Sequence, residues 1–303
     1  MKFPYAISAV LEHYHYLSPQ QITDRIRYSS FVSVPCRYMY FAVPKAACTA
    51  MKWLLHDLEG GGPLPMKWAP AHTSGIHFRG NISLPSLVDL DDDTQKHVLQ
   101  SPDFLRMTIV RNPYDRLISS WRDKIALCEP GFERIYLDIK GRSPRDDSDL
   151  SVSLEEFVKW LATNCDMRTI DMHLRRQTDH TFFTALNFSW VGKVERMDEI
   201  LRQFQLHLGH AEPLQLRKTN ISVKFDYGVI DDRLAKMISK LYQPDFDVLD
   251  YDPNTWPSTA AQPETSVPVE RFRQEIVQRN LRISYFWSQA LKGRARLPSG
   301  SGH

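Results

Sequence analysis

The chain has 303 residues, 42% hydrophobic and 24% charged, which suits a soluble globular protein with a full core. Lysine and arginine exceed aspartate and glutamate by only 2, and the pI is about 8.3. That near-balance argues against a bulk nucleic-acid binder, so any anion site must be built locally.

The N-terminus, MKFPYAISAVLEHYHYLSPQ, is interrupted by Pro4, Glu12, His13 and His15. It has neither a signal-peptide core nor the roughly 20 apolar residues of a membrane span, so a cytoplasmic protein with no transmembrane segment is expected. The cysteines Cys36, Cys48, Cys128 and Cys165 form no C-x-x-C pair. Their wide spacing suits reduced thiols better than a metal knuckle, although a disulfide stays open.

Along the chain, Arg37 to Val43 reads as a strand, and a helix from about Ala50 to Leu58 follows a short loop. Gly60-Gly61-Gly62-Pro63 stops that helix. An irregular stretch with two histidines runs to about Leu84, then a helix near Val88 to Gln100 and a second buried strand, Arg106 to Val110. The next helix has Asn112 as cap, Pro113 at its first position, Asp115 in its first turn, and an apolar stripe of Tyr114, Leu117, Ile118, Trp121 and Ile125. After a polar loop from Gly141 to Ser151, Ser153 and Glu156 make a capping box for another helix. Phe188 to Val194 is a third strand, and helices follow over Met197–Leu208, Asp231–Tyr242 and Val269–Lys292, the last beyond a Pro-rich connection near Pro253 to Pro268. Strands alternating with helices imply an α/β fold, a parallel sheet flanked by helices on both faces, with additional helical segments. One domain is expected over 1–303, with a core of about 37–251 and a C-terminal connection and helix over 252–303. The tail LPSGSGH is left out of the fold reasoning.

Two motifs carry chemistry. The first is a strand, then Pro44-Lys45-Ala46-Ala47-Cys48-Thr49, then a helix. A helix N-terminus presents unpaired N–H groups and the positive end of the dipole to an anion. Small residues at Ala46, Ala47 and Ala50 permit close approach, Lys45 adds a cation and Thr49 a hydroxyl. Taken alone, the motif is also compatible with an ordinary strand-to-helix turn. The second is Arg111-Asn112-Pro113-Tyr114-Asp115-Arg116-Leu117-Ile118-Ser119-Ser120-Trp121-Arg122-Asp123-Lys124. Arg111 stands at a strand's carboxyl end, where ligands of parallel sheets bind, and Ser119 lies two turns along the next helix. Together they suit a terminal phosphate, although a structural salt bridge and a plain surface hydroxyl would also explain them. A P-loop kinase acting on a small alcohol is the rival reading. It requires G-x-x-x-x-G-K-[ST] and, usually, an acidic residue ending a later strand to hold Mg²⁺. The loop here has no glycine, and the second strand ends in Arg111.

PKAACT followed by RNPYDRLISSWRDK resembles the two signatures of the membrane-associated carbohydrate sulfotransferases and their bacterial relatives, which use 3′-phosphoadenosine-5′-phosphosulfate (PAPS). Asp171-Met172-His173-Leu174, Phe188-Ser189-Trp190-Val191-Gly192-Lys193-Val194-Glu195 and Leu241-Tyr242-Gln243-Pro244-Asp245-Phe246 extend the resemblance in order. Leu216-Arg217-Lys218-Thr219 is similar to a nucleotide-facing stretch of the uronosyl 2-O-sulfotransferases. The resemblance implies a P-loop-like fold and sulfuryl transfer from PAPS to an acceptor hydroxyl on a glycan or other alcohol. It implies that Pro44, Lys45, Ala46, Ala47, Cys48 and Thr49 hold the 5′-phosphosulfate. It assigns the 3′-phosphate to Arg111 and Ser119, and it makes Arg217 and Lys218 weaker cofactor candidates, a basic pair that a solvated face would also explain. The product is 3′,5′-ADP (PAP), and no metal is demanded. The chain departs from the family at Asn112, in lacking an anchor, and at His180-Thr181-Phe182-Phe183, where a cysteine pair is missing. These departures favour a cytosolic bacterial-type enzyme over one of the Golgi lumen.

The acceptor hydroxyl needs a base, and histidine is the usual one near neutral pH. His77, in an Ile76-His77-Phe78 segment resembling the family's V-H-Y, ranks first and His72 second. His173, read as helical and close to Arg175 and Arg176, is next, as an acceptor-binding candidate. Trp53, Trp121 and Trp160 fit core positions better than sugar platforms, whereas Trp68 precedes His72 in a loop and is placed to stack on a ring. A non-catalytic nucleotide-binding relative is the third reading.

Overall fold

Four consecutive aromatic and sulfur side chains, Tyr38 to Phe41, make a strand buried at every position. Such a run fits a strand covered on both faces. The structure, a computed structural model, describes residues 3–62, 64, 75–141, 152–217, 230–257 and 267–294. It divides into two compact units, one of 1–116, 166–221 and 242–252, the other of 117–165, 222–241 and 253–303.

The first unit begins with helices α1 (Tyr5–Leu11) and α2 (Pro19–Ser29), the latter opened by a capping box between Ser18 and Gln21. Among the described residues the sheet has four strands in the order β1 (Ser30–Ser33), β2 (Tyr38–Phe41), β3 (Leu105–Val110) and β4 (Trp190–Lys193). The pairs β2–β3 and β3–β4 are parallel, with Phe41 opposite Thr108 and Val110 opposite Lys193. The edge strand β1 is antiparallel to β2, so the sheet is mixed where a wholly parallel one was expected. Helix α3 (Cys48–Leu58) follows β2, and α4 (Asp92–Gln100), capped by Asp91, precedes β3. Helix α5 (Pro113–Ser120) follows β3, α8 (Gln177–His180) precedes β4, α9 (Met197–Leu208) follows it, and α11 (Gln243–Val248) returns to this unit.

Side-chain alternation divides the core. Met39 and Phe41 pack on one face with α1, α2, α4 and Phe182. Tyr38, Tyr40, Met107 and Ile109 pack on the other with residues of α3 and α9. Helices therefore cover both faces, and the carboxyl ends of β2, β3 and β4 lie side by side.

In the second unit, α5 passes into a π-helical turn over Trp121–Ala126, where the apolar stripe predicted an uninterrupted α-helix. Trp121 is buried, and its indole N–H donates to the Val152 carbonyl at 3.0 Å. The unit also holds α6 (Glu133–Lys140), α7 (Leu154–Asn164), α10 (Asp232–Leu241) and α12 (Val267–Arg294). The capping box at Ser153 and Glu156 is present, and Asp231 accepts from the Leu234 N–H at 2.8 Å. Asn280 of α12 donates to the Leu127 carbonyl at 2.7 Å. No helix among the described residues is long and apolar enough to cross a membrane.

Candidate active site

The loop between β2 and α3 is built without glycine, yet it takes conformations that glycine usually supplies. Lys45 has φ 68° and Ala47 has φ 57°, on either side of the buried Ala46. Each left-handed non-glycine residue costs on the order of 1–2 kcal/mol, so surrounding bonds must hold the loop. The first helical bond inside α3 is Met51 N–H to the Ala47 carbonyl at 3.1 Å. The N–H groups of Cys48, Thr49 and Ala50 precede it and carry the partial positive charge of the helix end.

The main support of the loop is Arg116, which is 1% exposed. Its Nε donates to the Pro44 carbonyl at 3.0 Å, Nη1 to the Arg175 carbonyl at 2.8 Å and Nη2 to the Met172 carbonyl at 3.0 Å. Burial holds its guanidinium below the ordinary arginine range. One cation thus ties the start of the loop after β2 to both ends of the turn that carries His173. Sequence reasoning missed it, because an arginine inside a helix motif reads as a solvated face.

Arg111 follows β3 directly and is half-buried. Its Nη1 donates to the Lys45 carbonyl at 3.4 Å, so the cation at the second strand end touches the loop at the first. Its backbone is clamped by Gln177, which accepts from the Arg111 N–H at 2.9 Å and donates to the Arg111 carbonyl at 2.8 Å. Gln177 is held in turn by the fully buried Asp245, which accepts from the N–H groups of Gln177 (2.8 Å) and Thr178 (2.9 Å) and from the Thr178 hydroxyl (2.8 Å). Burial pushes the Asp245 carboxyl up, against the pull of these bonds and of Arg116. Asn112 caps α5 through the Tyr114 N–H at 2.9 Å, and its own N–H donates to Glu195 at 2.8 Å. The late motif residues Asp245 and Glu195 therefore act by positioning the Arg111 segment. Ser119 is half-buried near the end of α5 and belongs to the second unit.

His77 closes a 3₁₀ turn over Gly75–His77 and reaches α3. Its Nε2 lies 3.0 Å from Thr49 Oγ1, and its Nδ1 lies 3.4 Å from Lys52 Nζ. Lys52 is 2% exposed, and burial holds its ammonium below the ordinary lysine range. A charged Lys52 donates to Nδ1 and puts the ring proton on Nε2. A neutral Lys52 accepts from Nδ1–H and leaves Nε2 as a base facing the Thr49 hydroxyl. The structure thus joins His77 to the loop after β2 through Thr49, and Lys52 is a functional candidate that sequence reasoning passed over.

The remaining predicted residues fare differently. His72, Trp68 and Lys218 lie outside the described residues. Arg217 makes a bidentate pair with Asp57 at 2.9 and 2.6 Å and stacks 4.3 Å from the Trp53 ring, so its charge is already engaged within the protein. Trp53 and Trp160 are only partly buried, whereas Trp121 is core. His173 lies in a turn where a helix was expected, with its Nδ1 2.8 Å from Asp171, which also accepts the His173 backbone N–H at 2.9 Å. That local pairing favours a turn over continued helix.

A mixed sheet with helices on both faces, a lysine-bearing strand-to-helix loop and an arginine at the adjacent strand end define an α/β protein with cationic side chains at two neighbouring strand ends. The chain matches the sulfotransferase family over residues 28–252, and it belongs to that family. Carbohydrate sulfotransferase 8 of Mus musculus is 28% identical over 201 residues, covering 64% of this chain and 46% of that protein. Carbohydrate sulfotransferase 11 of Danio rerio is 23% identical over 235 residues, covering 70% of this chain and 64% of that protein. Carbohydrate sulfotransferase 10 of Danio rerio is 25% identical over 254 residues, covering 76% and 67%. The chain spans about half to two thirds of the length of these relatives. No solved structure matches it significantly.

Proposed function

We propose that this protein is a P-loop-like sulfotransferase that moves a sulfuryl group from PAPS to a hydroxyl of a carbohydrate acceptor. The observation that carries the reading is the hydrogen bond from Arg111, at the end of β3, to the carbonyl of Lys45 in the left-handed loop after β2. A cation occupies the strand end where a kinase usually keeps its magnesium-binding carboxylate, and it is coupled to the anion-binding loop.

The residues fit the donor. The α3 N-terminus, with the small side chains of Ala46 and Ala47, suits a phosphosulfate, and Lys45 supplies charge where the leaving phosphate grows more negative. Arg111 suits the 3′-phosphate, and Ser119 keeps the hydroxyl role that its motif implies. His77 takes the acceptor proton at Nε2 when its Nδ1–H is turned to Lys52. The acceptor oxygen then forms a bond to sulfur as the bond from sulfur to the bridging phosphate oxygen breaks, and PAP leaves. Arg217 serves the nucleotide only by releasing Asp57. The relatives named as carbohydrate sulfotransferases support a glycan acceptor.

A thermal shift with PAP in EDTA tests the donor side, because a ligand that binds only the native state raises the midpoint. The expected result is a metal-independent stabilisation by PAP. No shift at millimolar PAP, with a clear shift for Mg²⁺-ATP, would favour the kinase reading.

A further inference from the structure

Helix α12, 28 residues long, lies beyond residue 252, where the family match ends, so the reading given above leaves it without a role. One side of it is taken up inside the second unit. Val277 and Asn280 are buried, and Asn280 donates to the Leu127 carbonyl at 2.7 Å. Ser284, one turn further on, has its hydroxyl shut off from solvent. Positions 277, 280 and 284 fall on one face of a helix. Arg279, Arg282 and Phe286 fall, at the same spacing, on the face away from it, and all three are exposed.

Phe286 is 66% exposed, and its neighbours Tyr285 and Trp287 are 60% and 45% exposed. Successive helical positions are about 100° apart, so three rings in a row fan over about 200°, and a single packed face does not cover them. The Tyr285 and Phe286 rings meet edge to face, with centroids 5.7 Å apart. Elsewhere among the described residues the exposed large hydrophobic side chains, such as Leu137 and Leu206, stand singly, which is ordinary. The charge of the helix is uneven as well. Over residues 267–275, Glu270 and Glu275 offset Arg271 and Arg273. Over 276–294 stand Arg279, Arg282, Lys292 and Arg294, and no acidic residue. Arg279 donates to the amide oxygen of Asn280 at 3.2 Å, a neutral partner that leaves its charge uncompensated.

Exposed rings beside guanidinium groups match an anionic lipid surface, where rings settle at headgroup depth and arginines meet phosphates. Two copies of this face would set arginines against arginines, which disfavours self-association. Nucleic acid also draws arginines, but the chain as a whole is nearly balanced in charge. No helix among the described residues is long and apolar enough to cross a membrane, so the contact lies on a bilayer and does not span it. We propose that the C-terminal half of α12 is a peripheral anchor to anionic membranes, with Tyr285, Phe286 and Trp287 entering the headgroup region and Arg279 and Arg282 on the lipid phosphates. The inference stands apart from the sulfotransferase reading, because it concerns where the protein sits and not what it transfers.

The test is sedimentation of the full chain with vesicles of phosphatidylcholine alone and of phosphatidylcholine mixed with phosphatidylglycerol. The wild type is expected to bind the anionic vesicles at least about tenfold more tightly, and to lose that preference in high salt. Arg279→Gln with Arg282→Gln should cut the preference at least about fivefold. Phe286→Ser with Trp287→Ser should weaken binding to the anionic vesicles at least about tenfold. Each changed side chain is exposed, so both variants should melt with the wild type. A wild type that binds neither vesicle, or variants that bind as the wild type does, overturns the proposal. A variant that melts markedly lower also overturns it, because its side chains would then be packed within the protein. So does a dimer in light scattering that the aromatic variant loses, which would make the face a contact between two copies. Tighter binding to a short DNA duplex than to the vesicles, lost in the arginine variant, would give the face to nucleic acid and overturn it equally.

Discussion

At the scale of single residues, three side chains should give three distinguishable phenotypes. His77→Ala removes the proposed base and leaves the donor loop untouched, so single-turnover rates should fall about 10²–10⁴-fold with PAP affinity nearly unchanged. A variant with wild-type single-turnover rates would take the base away from His77. Arg111→Ala should cost about 1.5–3 kcal/mol in PAP binding and much less for an analogue lacking the 3′-phosphate. Calorimetry on both nucleotides reads the difference, and equal losses would mean that Arg111 does not contact that phosphate. Arg116→Ala strands the carbonyls of Pro44, Met172 and Arg175 and releases two left-handed residues from their support. It should lower both stability and PAP affinity, whereas Arg116→Lys can satisfy at most part of that three-way geometry. Of these three, Arg111 was a candidate on the sequence because it stands in a motif, and His77 because the segment around it resembles one of the family. Arg116 was not, because its acceptors come from positions 44, 172 and 175 and only tertiary structure brings them together.

At the scale of elements, the third parallel strand depends on a glycine. A Cβ on Gly192 would lie 2.7 Å from two carbon atoms of Ile200 in α9. Gly192→Ala should therefore destabilise by about 1–3 kcal/mol, and pairing it with Ile200→Val or Ile200→Ala should recover part of the loss in urea denaturation. Asp245→Asn turns an acceptor-only carboxylate into a group whose amide opposes an N–H of Gln177 or Thr178. It should cost about 1–3 kcal/mol and weaken PAP binding through the Gln177 clamp on Arg111. The three parallel strands were readable because each is a short, nearly continuous apolar run. The edge strand β1, Ser-Phe-Val-Ser, was not, because its serines look like loop residues. Their hydroxyls are taken up locally, Ser30 donating to the Ile26 carbonyl at 2.8 Å. The four-residue α8 is too short to show a helical period, and His173 was read as helix because Asp171 pairing with it in a turn leaves no periodic signature.

At the scale of the whole molecule, His180 links stability to pH. It is wholly buried, its Nε2 lies 3.0 Å from the Ala42 carbonyl and 3.3 Å from Ser29 Oγ, and its Nδ1 has no hydrogen-bond partner among the described residues. A carbonyl only accepts, so Nε2 carries the proton and Nδ1 is bare. Burial, first, and then the charges of Arg175, Arg25 and Arg116 hold the imidazole well below its ordinary range. Below the pKa of an unfolded histidine the unfolded chain takes up a proton that the native state refuses. Stability from this group is therefore full above about pH 7 and is lost as pH falls, by about 1.4 kcal/mol per unit. Urea titrations should show this slope between about pH 6.5 and 5, flattened in His180→Gln. An unchanged slope would assign the pH dependence to other groups.

The account as a whole holds that the two coupled cationic strand ends serve PAPS chemistry and not metal-bridged phosphoryl transfer. The measurement that addresses this directly is incubation with PAPS labelled in its sulfuryl group, in EDTA, with a panel of oligosaccharides, followed by mass spectrometry of the products. The prediction is labelled sulfate ester on an oligosaccharide, one PAP released per transfer, and loss of both in His77→Ala. Absence of label on every acceptor, together with transfer of the γ-phosphate from Mg²⁺-ATP to the same panel, would contradict it.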